Sequence, residues 1–278
     1  MTTAARSVSI LGCGWLGTAL GATLAADGWQ VRGSTMHLDR FDALRAHHID
    51  PVQLIVDAAG VWPACDAFWQ SNALIISIPP GRRTDAVVGF ADRIRAVCRA
   101  WSAPPEQVIL LSSTSVYAAT NRPVSEGEIN PSHVRLKPSG RALLEAEAVI
   151  ADAAAHATIL RLAGLIGPDR HPGRFLAGKK NVAGGDVPVN LVHRRDCVAI
   201  ITQILAESHK GEVFNVVADA HPTRREYYVR AAERLGLPPP SFANSENESW
   251  KIVRNDKLKQ ALSYSFRVPD PASCLSDE

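Results

Sequence analysis

The chain has 278 residues, 46% of them apolar and 21% charged, with a formal net charge of +2 at neutral pH. That length can bury a full core, in one large domain or two coupled ones, and the scattered, nearly balanced charge argues against a nucleic-acid partner. No stretch is apolar enough for long enough to cross a bilayer and no apolar signal region precedes Ser7. The five cysteines (13, 65, 98, 197, 274) form no C-x-x-C pair, so a cytoplasmic protein with free thiols and no membrane partner is expected.

Taken in order, residues 7–12 read as a strand, 15–27 as a helix and 31–34 as a second strand. A helix follows at 40–48, then short apolar strands at 52–56 and 73–78, the latter closed by Pro79-Pro80-Gly81. Helical spacing runs through Val87, Phe90, Ile94, Val97 and Trp101, over 84–101, and Pro104-Pro105 breaks it. Strands at 107–111 and 158–162 bracket a helix over 139–155. Beyond Gly164 the alternation loosens, with turn chemistry at 167–173, a helix at 191–205, a strand at 212–217 and a helix at 223–235. Apolar strands alternating with helices predict an α/β fold, a Rossmann-type doubly wound parallel sheet with a smaller C-terminal substrate domain. The expected division is 1–166, with 189–217 returning to it, as the dinucleotide-binding domain, and 167–188 with 218–278 as the substrate domain.

The first strand ends in glycines at 12, 14 and 17, the G-x-G-x-x-G spacing. In a strand-turn-helix, the first lets the chain reverse, the second admits a pyrophosphate to the backbone and the third lets helix and strand pack closely. Gly12, Gly14, Trp15, Leu16 and Gly17 are therefore candidate cofactor-binding residues, the helix N-terminus being aimed at phosphate. Ile78 and Pro79, ending a central strand, are expected to line the same cofactor. Cys13 has two readings, a reactive thiol near a helix N-terminus or a small residue that fits the turn.

NAD-binding folds place Asp or Glu at the end of the second strand. This chain has Arg32-Gly33-Ser34-Thr35, with no carboxylate before Asp39. Ser34, Thr35 and Arg32 or Arg40 suit a 2′-phosphate, which favours NADP over NAD. Arg32 pointing to solvent is the alternative.

Four segments occur in order: Gly12–Gly17, Leu111-Ser-Ser-Thr-Ser-Val-Tyr117, Leu160-Arg-Leu-Ala-Gly-Leu-Ile-Gly-Pro168 and Val189-Asn-Leu-Val-His-Arg-Arg-Asp196. Together they resemble an extended short-chain dehydrogenase/reductase of the NAD-dependent epimerase/dehydratase family. Trp15, the Ser-Ser-Thr-Ser-Val-Tyr segment and Arg170-His-Pro-Gly-Arg-Phe175 are similar to its YeeZ-like branch, an atypical one. The resemblance implies a nicotinamide cofactor and a Ser four residues before a Val-Tyr tyrosine, here Ser113, bonding a substrate oxygen. It also implies a Tyr-x-x-x-Lys pair on the following helix. Here Glu145 aligns Arg141 with the Lys and Lys137 with the Tyr, so that pair is missing. Arg141 still offers charge to a ribose but stays protonated and cannot serve as an acid near neutrality. Catalytic candidates are Ser113, Tyr117 as a substitute acid, and Arg141.

Each has a plainer reading. Ser113 can bond the backbone at a strand end, Tyr117 can pack with its hydroxyl satisfied, and Lys137 can be solvated before Pro138. His193 and Asp196, in a His-x-x-Asp, read as a structural link. His171 and Arg174 suit either an anionic substrate or a solvated loop. The nine histidines show no zinc-like spacing, so no metal is expected, and no P-loop or G-x-S-x-G elbow occurs. The family resemblance allows a homodimer through two helices packed across a subunit boundary. Two functions stay open: an NAD(P)-dependent oxidoreductase or epimerase/dehydratase-like enzyme on a small polar substrate, sugar derivatives included, or a non-catalytic NAD(P)-binding sensor or scaffold.

Overall fold

A computed structural model describes residues 6–81, 87–244 and 248–275. The apolar run β1 (Ser7–Leu11) enters the glycine turn and leads into α1 (Trp15–Ala26). α1 buries Leu16, Leu20 and Leu24, one side chain per turn on one face. Fully burying each such leucine is worth about 1.5–3 kcal/mol. β2 (Gln30–Thr35), the short helix α2 (Phe41–Arg45) and β3 (Asp50–Gln53) follow. The one strand expected over 52–56 is divided between the end of β3 and β4 (Ile55–Val56), which forms a small hairpin with β5 (Val61–Trp62), and α3 (Asp66–Trp69) leads to β6 (Ala73–Ile76). α4 (Phe90–Ala100) carries the helical spacing read from the sequence, and positions 84–86 of that expected helix lie outside the described residues, as do residues 1–5.

β7 (Gln107–Ser113) runs into a short turn of helix at Thr114–Val116, then β8 (Arg122–Val124). α5 (Pro138–Ala153) has proline in its first turn, where the missing N–H costs nothing. β9 (Thr158–Leu162), β10 (Gly164–Ile166), α6 (Gly173–Leu176), β11 (Leu191–His193) and α7 (Arg194–Glu207) follow. Then come β12 (Val213–Val216), α8 (Arg224–Arg234), β13 (Lys251–Val253) and α9 (Asp256–Leu262). α8 opens with a reciprocal cap: the Thr223 hydroxyl accepts from the Glu226 N–H, and the Glu226 carboxylate accepts from the Thr223 N–H.

Seven strands form one parallel sheet in the order β12-β9-β7-β6-β1-β2-β3, flanked by helices. The chain runs outward from β1 through β2 to β3, then returns to lay β6 on β1's other side. The strand order therefore reverses between β1 and β6, the place where open α/β sheets bind ligands. β6 and β9 are buried at every position, as strands covered on both faces must be.

The chain folds as two compact units. The first is built from Met1–Val116, Lys137–Arg161 and Ile200–Val213. In it α5 packs on α4 and β7, and a buried ion pair ties α5 down: Arg161 donates to both Glu147 carboxylate oxygens (Nη2 to Oε2, 2.7 Å), and Ser112 Oγ donates to Glu147 Oε1 at 2.5 Å. The second unit is built from Tyr117–Leu136, Leu162–Ala199 and Phe214–Glu278. These bounds depart from the division read from the sequence at 117–136, 162–166, 189–199 and 214–217. The cause is pairing: β8 joins β13 in parallel, and β10 joins β11. The second pairing also corrects the helix expected over 191–205, whose first three residues are strand β11. Ile166, Leu191, Tyr227, Ala231 and Val268 form the core of this unit.

Candidate functional site

Gly12 turns the chain at φ +88°, and a Cβ there would lie 2.9 Å from Ile78 Cγ2. The turn is then stitched to β2: Gly12 N–H donates to Ser34 Oγ at 2.8 Å and Cys13 N–H to the Ser34 carbonyl at 2.7 Å. Gly33 completes the fit, since a Cβ there would meet Cys13 Sγ at 2.9 Å. Cys13 is buried, and burial pushes its thiol up to about 11, so of its two readings the structure supports the small residue that fits the turn. Gly14 is the N-cap of α1 and differs from its neighbours in one respect. A Cβ on it would have no atom within 4 Å. No side chain caps this end of α1, and its first turn holds no acidic residue.

Around this turn lies a cavity of about 390 Å³, within the range of small-molecule sites. It is walled by the ends of β1 (Leu11–Gly14), β2 (Ser34, Thr35 and the following Met36 and His37) and β6 (Ser77–Pro79, Gly81), with Leu54 and Val56, Arg40 and Arg93. A larger cavity of about 690 Å³ lies at the opposite, amino ends of the strands, lined by Ser71, Asn72, Pro105 and Glu106 among others. We give the smaller one priority because it sits at the carboxyl ends, beside the strand-order reversal.

The structure thus brings together Gly12, Gly14, Ser34, Thr35, Ile78 and Pro79. Trp15, Leu16 and Gly17 follow in the first turn of α1, and the Gly17 Cα packs against the glycine turn, where a Cβ would stand 3.1 Å from the Gly12 carbonyl. Arg32 is corrected. Its guanidinium donates to Ser71 Oγ at 3.4 Å, at the amino edge of the sheet, and it does not line the 390 Å³ cavity. Arg40 does. Ser34 and Thr35 line it too, but their hydroxyls already accept from Gly12 N–H and His37 N–H respectively.

Ser113 is half-buried at the end of β7, and its Oγ accepts from Ser115 N–H at 3.2 Å. Arg141 is exposed in the first turn of α5, and Lys137 is exposed just before it. Both Ser113 and Arg141 lie outside the lining of the cavity. Tyr117 is 3% exposed and its hydroxyl donates to Asn215 Oδ1 at 2.7 Å, which corrects the substitute-acid reading in favour of packing. His171 is corrected as well. It is buried, its Nδ1 accepts from Gly173 N–H, and its Nε2 lies 3.2 Å from the Leu275 carbonyl. Asp196 is fully buried and accepts from Tyr264 OH and from the N–H groups of Arg267 and Val268. It anchors the 264–268 segment. His193 Nδ1 accepts from Arg195 N–H.

Sequence reasoning missed His37, Arg93 and the Ser112–Glu147–Arg161 network. His37 follows the strand end already under suspicion. Arg93 gives no local signal, being one arginine among several on an amphipathic helix.

The protein YeeZ of Escherichia coli K12 is 37% identical to this chain over 272 residues, 96% of this chain and 97% of YeeZ. The chain belongs to the family of YeeZ. No family model matches it. Among solved structures, this YeeZ-like chain is similar to MoeE5 in complex with UDP-glucose and NAD, with a TM-score of 0.75 at 18% identity over 98% of this chain and 96% of that one. It is also similar to the human epimerase family protein SDR39U1 with NADPH, with a TM-score of 0.71 at 18% identity over 98% of each chain. At these identities the likeness is one of fold. Among the described residues no helix is long and apolar enough to cross a membrane, and no group of His, Cys, Asp and Glu is arranged to hold a metal ion.

Proposed function

We propose that this YeeZ-like protein binds a nicotinamide dinucleotide in the 390 Å³ cavity, prefers NADPH, and acts as an oxidoreductase or epimerase-like enzyme on a small polar substrate, sugar derivatives included. The observation that carries the reading is the cavity's chemistry. Its described lining holds Arg40, His37 and Arg93 and no carboxylate, beside an uncapped helix N-terminus and an open space at Gly14. The residues fit the group: backbone at Gly12–Gly17 for pyrophosphate, Met36, Leu54 and Val56 as an apolar wall, and Arg40 for a ribose 2′-phosphate. The proteins of similar fold solved with a nicotinamide dinucleotide, MoeE5 with NAD and SDR39U1 with NADPH, support a nicotinamide cofactor.

Bound nicotinamide supplies a hydride donor or acceptor. Ser113, at the end of β7, is positioned on its own strand to donate its hydroxyl to a substrate oxygen. Arg141 offers a permanent charge to ribose hydroxyls or to substrate, on a helix that packs against the 114–116 turn. Neither is a proton donor of the Tyr-Lys kind. The burial of Tyr117 therefore favours a second reading, a dinucleotide-binding protein without turnover.

The test is a fluorescence titration with NADPH and with NADH, read from Trp15 in the glycine turn. NADPH should bind more tightly, and Arg40→Ala should weaken NADPH about tenfold to hundredfold, one charge-assisted bond, while leaving NADH nearly unchanged. Tighter NADH binding overturns the preference, and binding of neither overturns the site. Turnover of reduced nicotinamide with carbonyl sugars, lowered about tenfold or more in Ser113→Ala, separates the enzyme from the sensor. Binding with no turnover across such a set favours the sensor.

A further inference from the structure

We infer that Glu147 is a positioning residue: through Ser112 it sets the direction of Ser113, and through α5 it sets the place of Arg141. The inference rests on the enzyme reading above, in which Ser113 donates to a substrate oxygen and Arg141 lends its charge. Glu147 is 5% exposed, and its carboxylate joins three elements. Oε1 accepts from Ser112 Oγ of β7 at 2.5 Å and from Arg161 Nε of β9 at 3.1 Å, while Oε2 accepts from Arg161 Nη2 at 2.7 Å.

Stability alone does not call for this arrangement. A buried ion pair gains little over apolar side chains of the same volume, because desolvation offsets most of its attraction. What it can add is a unique register, since few alignments satisfy both partners. The apolar packing of α5 defines its register weakly. The residues it buries include Gly140, Ala142 and Ala146, a smooth face, with Leu143 and Ile150 as larger contacts. Arg141 stands six residues before Glu147, about 9 Å along the helix axis, and a slip of one turn would carry it about 5.4 Å. The end of β7 is fixed from the same carboxylate. Its register with β6 ends at the Leu110–Ile76 pair, and Ser112 and Ser113 run beyond it. Successive side chains of a strand alternate, so holding Ser112 on Glu147 aims its neighbour. The Ser113 Oγ accepts from Ser115 N–H, which leaves its proton for a substrate oxygen.

The experiment measures NADPH affinity and turnover of reduced nicotinamide with carbonyl sugars. The proteins compared are wild type, Ser112→Ala, Ser113→Ala, the two alanines together, and Glu147→Leu with Arg161→Met. Ser112→Ala releases β7 and leaves the ion pair whole; the apolar pair fills the volume and gives up the register. In both, kcat should fall about tenfold to hundredfold, as for reacting groups displaced by about 1 Å. NADPH affinity should stay within about twofold, since neither Ser112 nor Glu147 lines the cavity at the glycine turn. Adding Ser112→Ala to Ser113→Ala should lower kcat no further, because the first acts through the second. Wild-type kcat in either Ser112→Ala or the apolar pair overturns the inference and leaves the enzyme reading standing. So does a loss in Ser112→Ala that adds in full to that of Ser113→Ala, or one matched by an equal loss of NADPH affinity. Ser112→Ala decides even where the apolar pair does not fold. Wild type that binds NADPH and turns nothing over overturns the enzyme reading and the inference together.

Discussion

Gly12 and Gly14 are two residues apart, yet an alanine at each should fail in a different way. At Gly14 a methyl group enters space with no atom within 4 Å, at an ordinary negative φ of −84°. The cost to the fold is that of replacing glycine by alanine at an N-cap, about 0.5–1 kcal/mol. At roughly 2–4 °C per kcal/mol for a chain of this size, the melting temperature should fall by no more than about 4 °C. The same methyl occupies the approach to the end of α1, where a phosphate would take charge-assisted hydrogen bonds worth about 1.5–3 kcal/mol each. NADPH affinity should therefore drop about tenfold to hundredfold. At Gly12 the balance reverses. The left-handed backbone costs a non-glycine residue about 1–2 kcal/mol. The contact with Ile78 at 2.9 Å and with the Ser77 backbone at 3.1 Å adds about 1–3 kcal/mol of overpacking. The melting temperature of Gly12→Ala should fall by about 4–20 °C. Thermal unfolding and nucleotide titration of both variants check this. If Gly14→Ala melts as far below wild type as Gly12→Ala, the second glycine serves packing. If it binds NADPH with unchanged affinity, the open space is not where the phosphate comes.

Glu147→Leu leaves Arg161 buried without its counter-charge and should cost about 3–5 kcal/mol, while Glu147→Leu with Arg161→Met should recover most of that; a double variant as unstable as the single would refute the pairing. His221 is held below its ordinary value near 6.5, chiefly by burial, so the folded state disfavours its proton. Its contribution to stability is level above 6.5 and falls as pH drops from there through the folded-state pKa, by no more than about 1.4 kcal/mol per pH unit. Chemical denaturation of His221→Gln should show a shallower acid slope than wild type, and identical slopes would remove His221 from the account. Alkylation near neutral pH should label half-exposed Cys65 and spare Cys13, Cys98 and Cys197, whose thiols burial pushes up, as mass spectrometry of the modified peptides would reveal.

The parts of the fold legible in the sequence are those fixed by local pattern. β6 begins where its continuous apolar run predicts, and the glycine turn lies between a strand and a helix because the three glycine positions permit little else. What escaped reading depends on pairing at a distance. Leu191–His193 continues an apolar run into a helix, and only Gly164–Ile166 lying beside it makes it a strand. Arg32 and Arg40 are equivalent cations in the sequence. The register of β2 sends Arg32 to Ser71 and leaves the cavity to Arg40. Ser34 reads from the sequence as a ligand for phosphate; that its hydroxyl also accepts from Gly12 N–H and shapes the turn is visible only in the fold. Tyr117 looked available because it follows a strand, but its partner Asn215 is 98 residues away.

The β8–β13 pair has a consequence for synthesis. Asn121 and Trp250, at the edge of that pair, are hydrogen-bonded across 129 positions, and Asp196 waits for the backbone of Arg267 and Val268. A chain growing from the ribosome therefore holds β8 as an unpaired strand, and Asp196 as an unsatisfied carboxylate, through much of translation. Chaperone dependence should concentrate in that interval, and stop codons placed between 196 and 250 should yield insoluble chains.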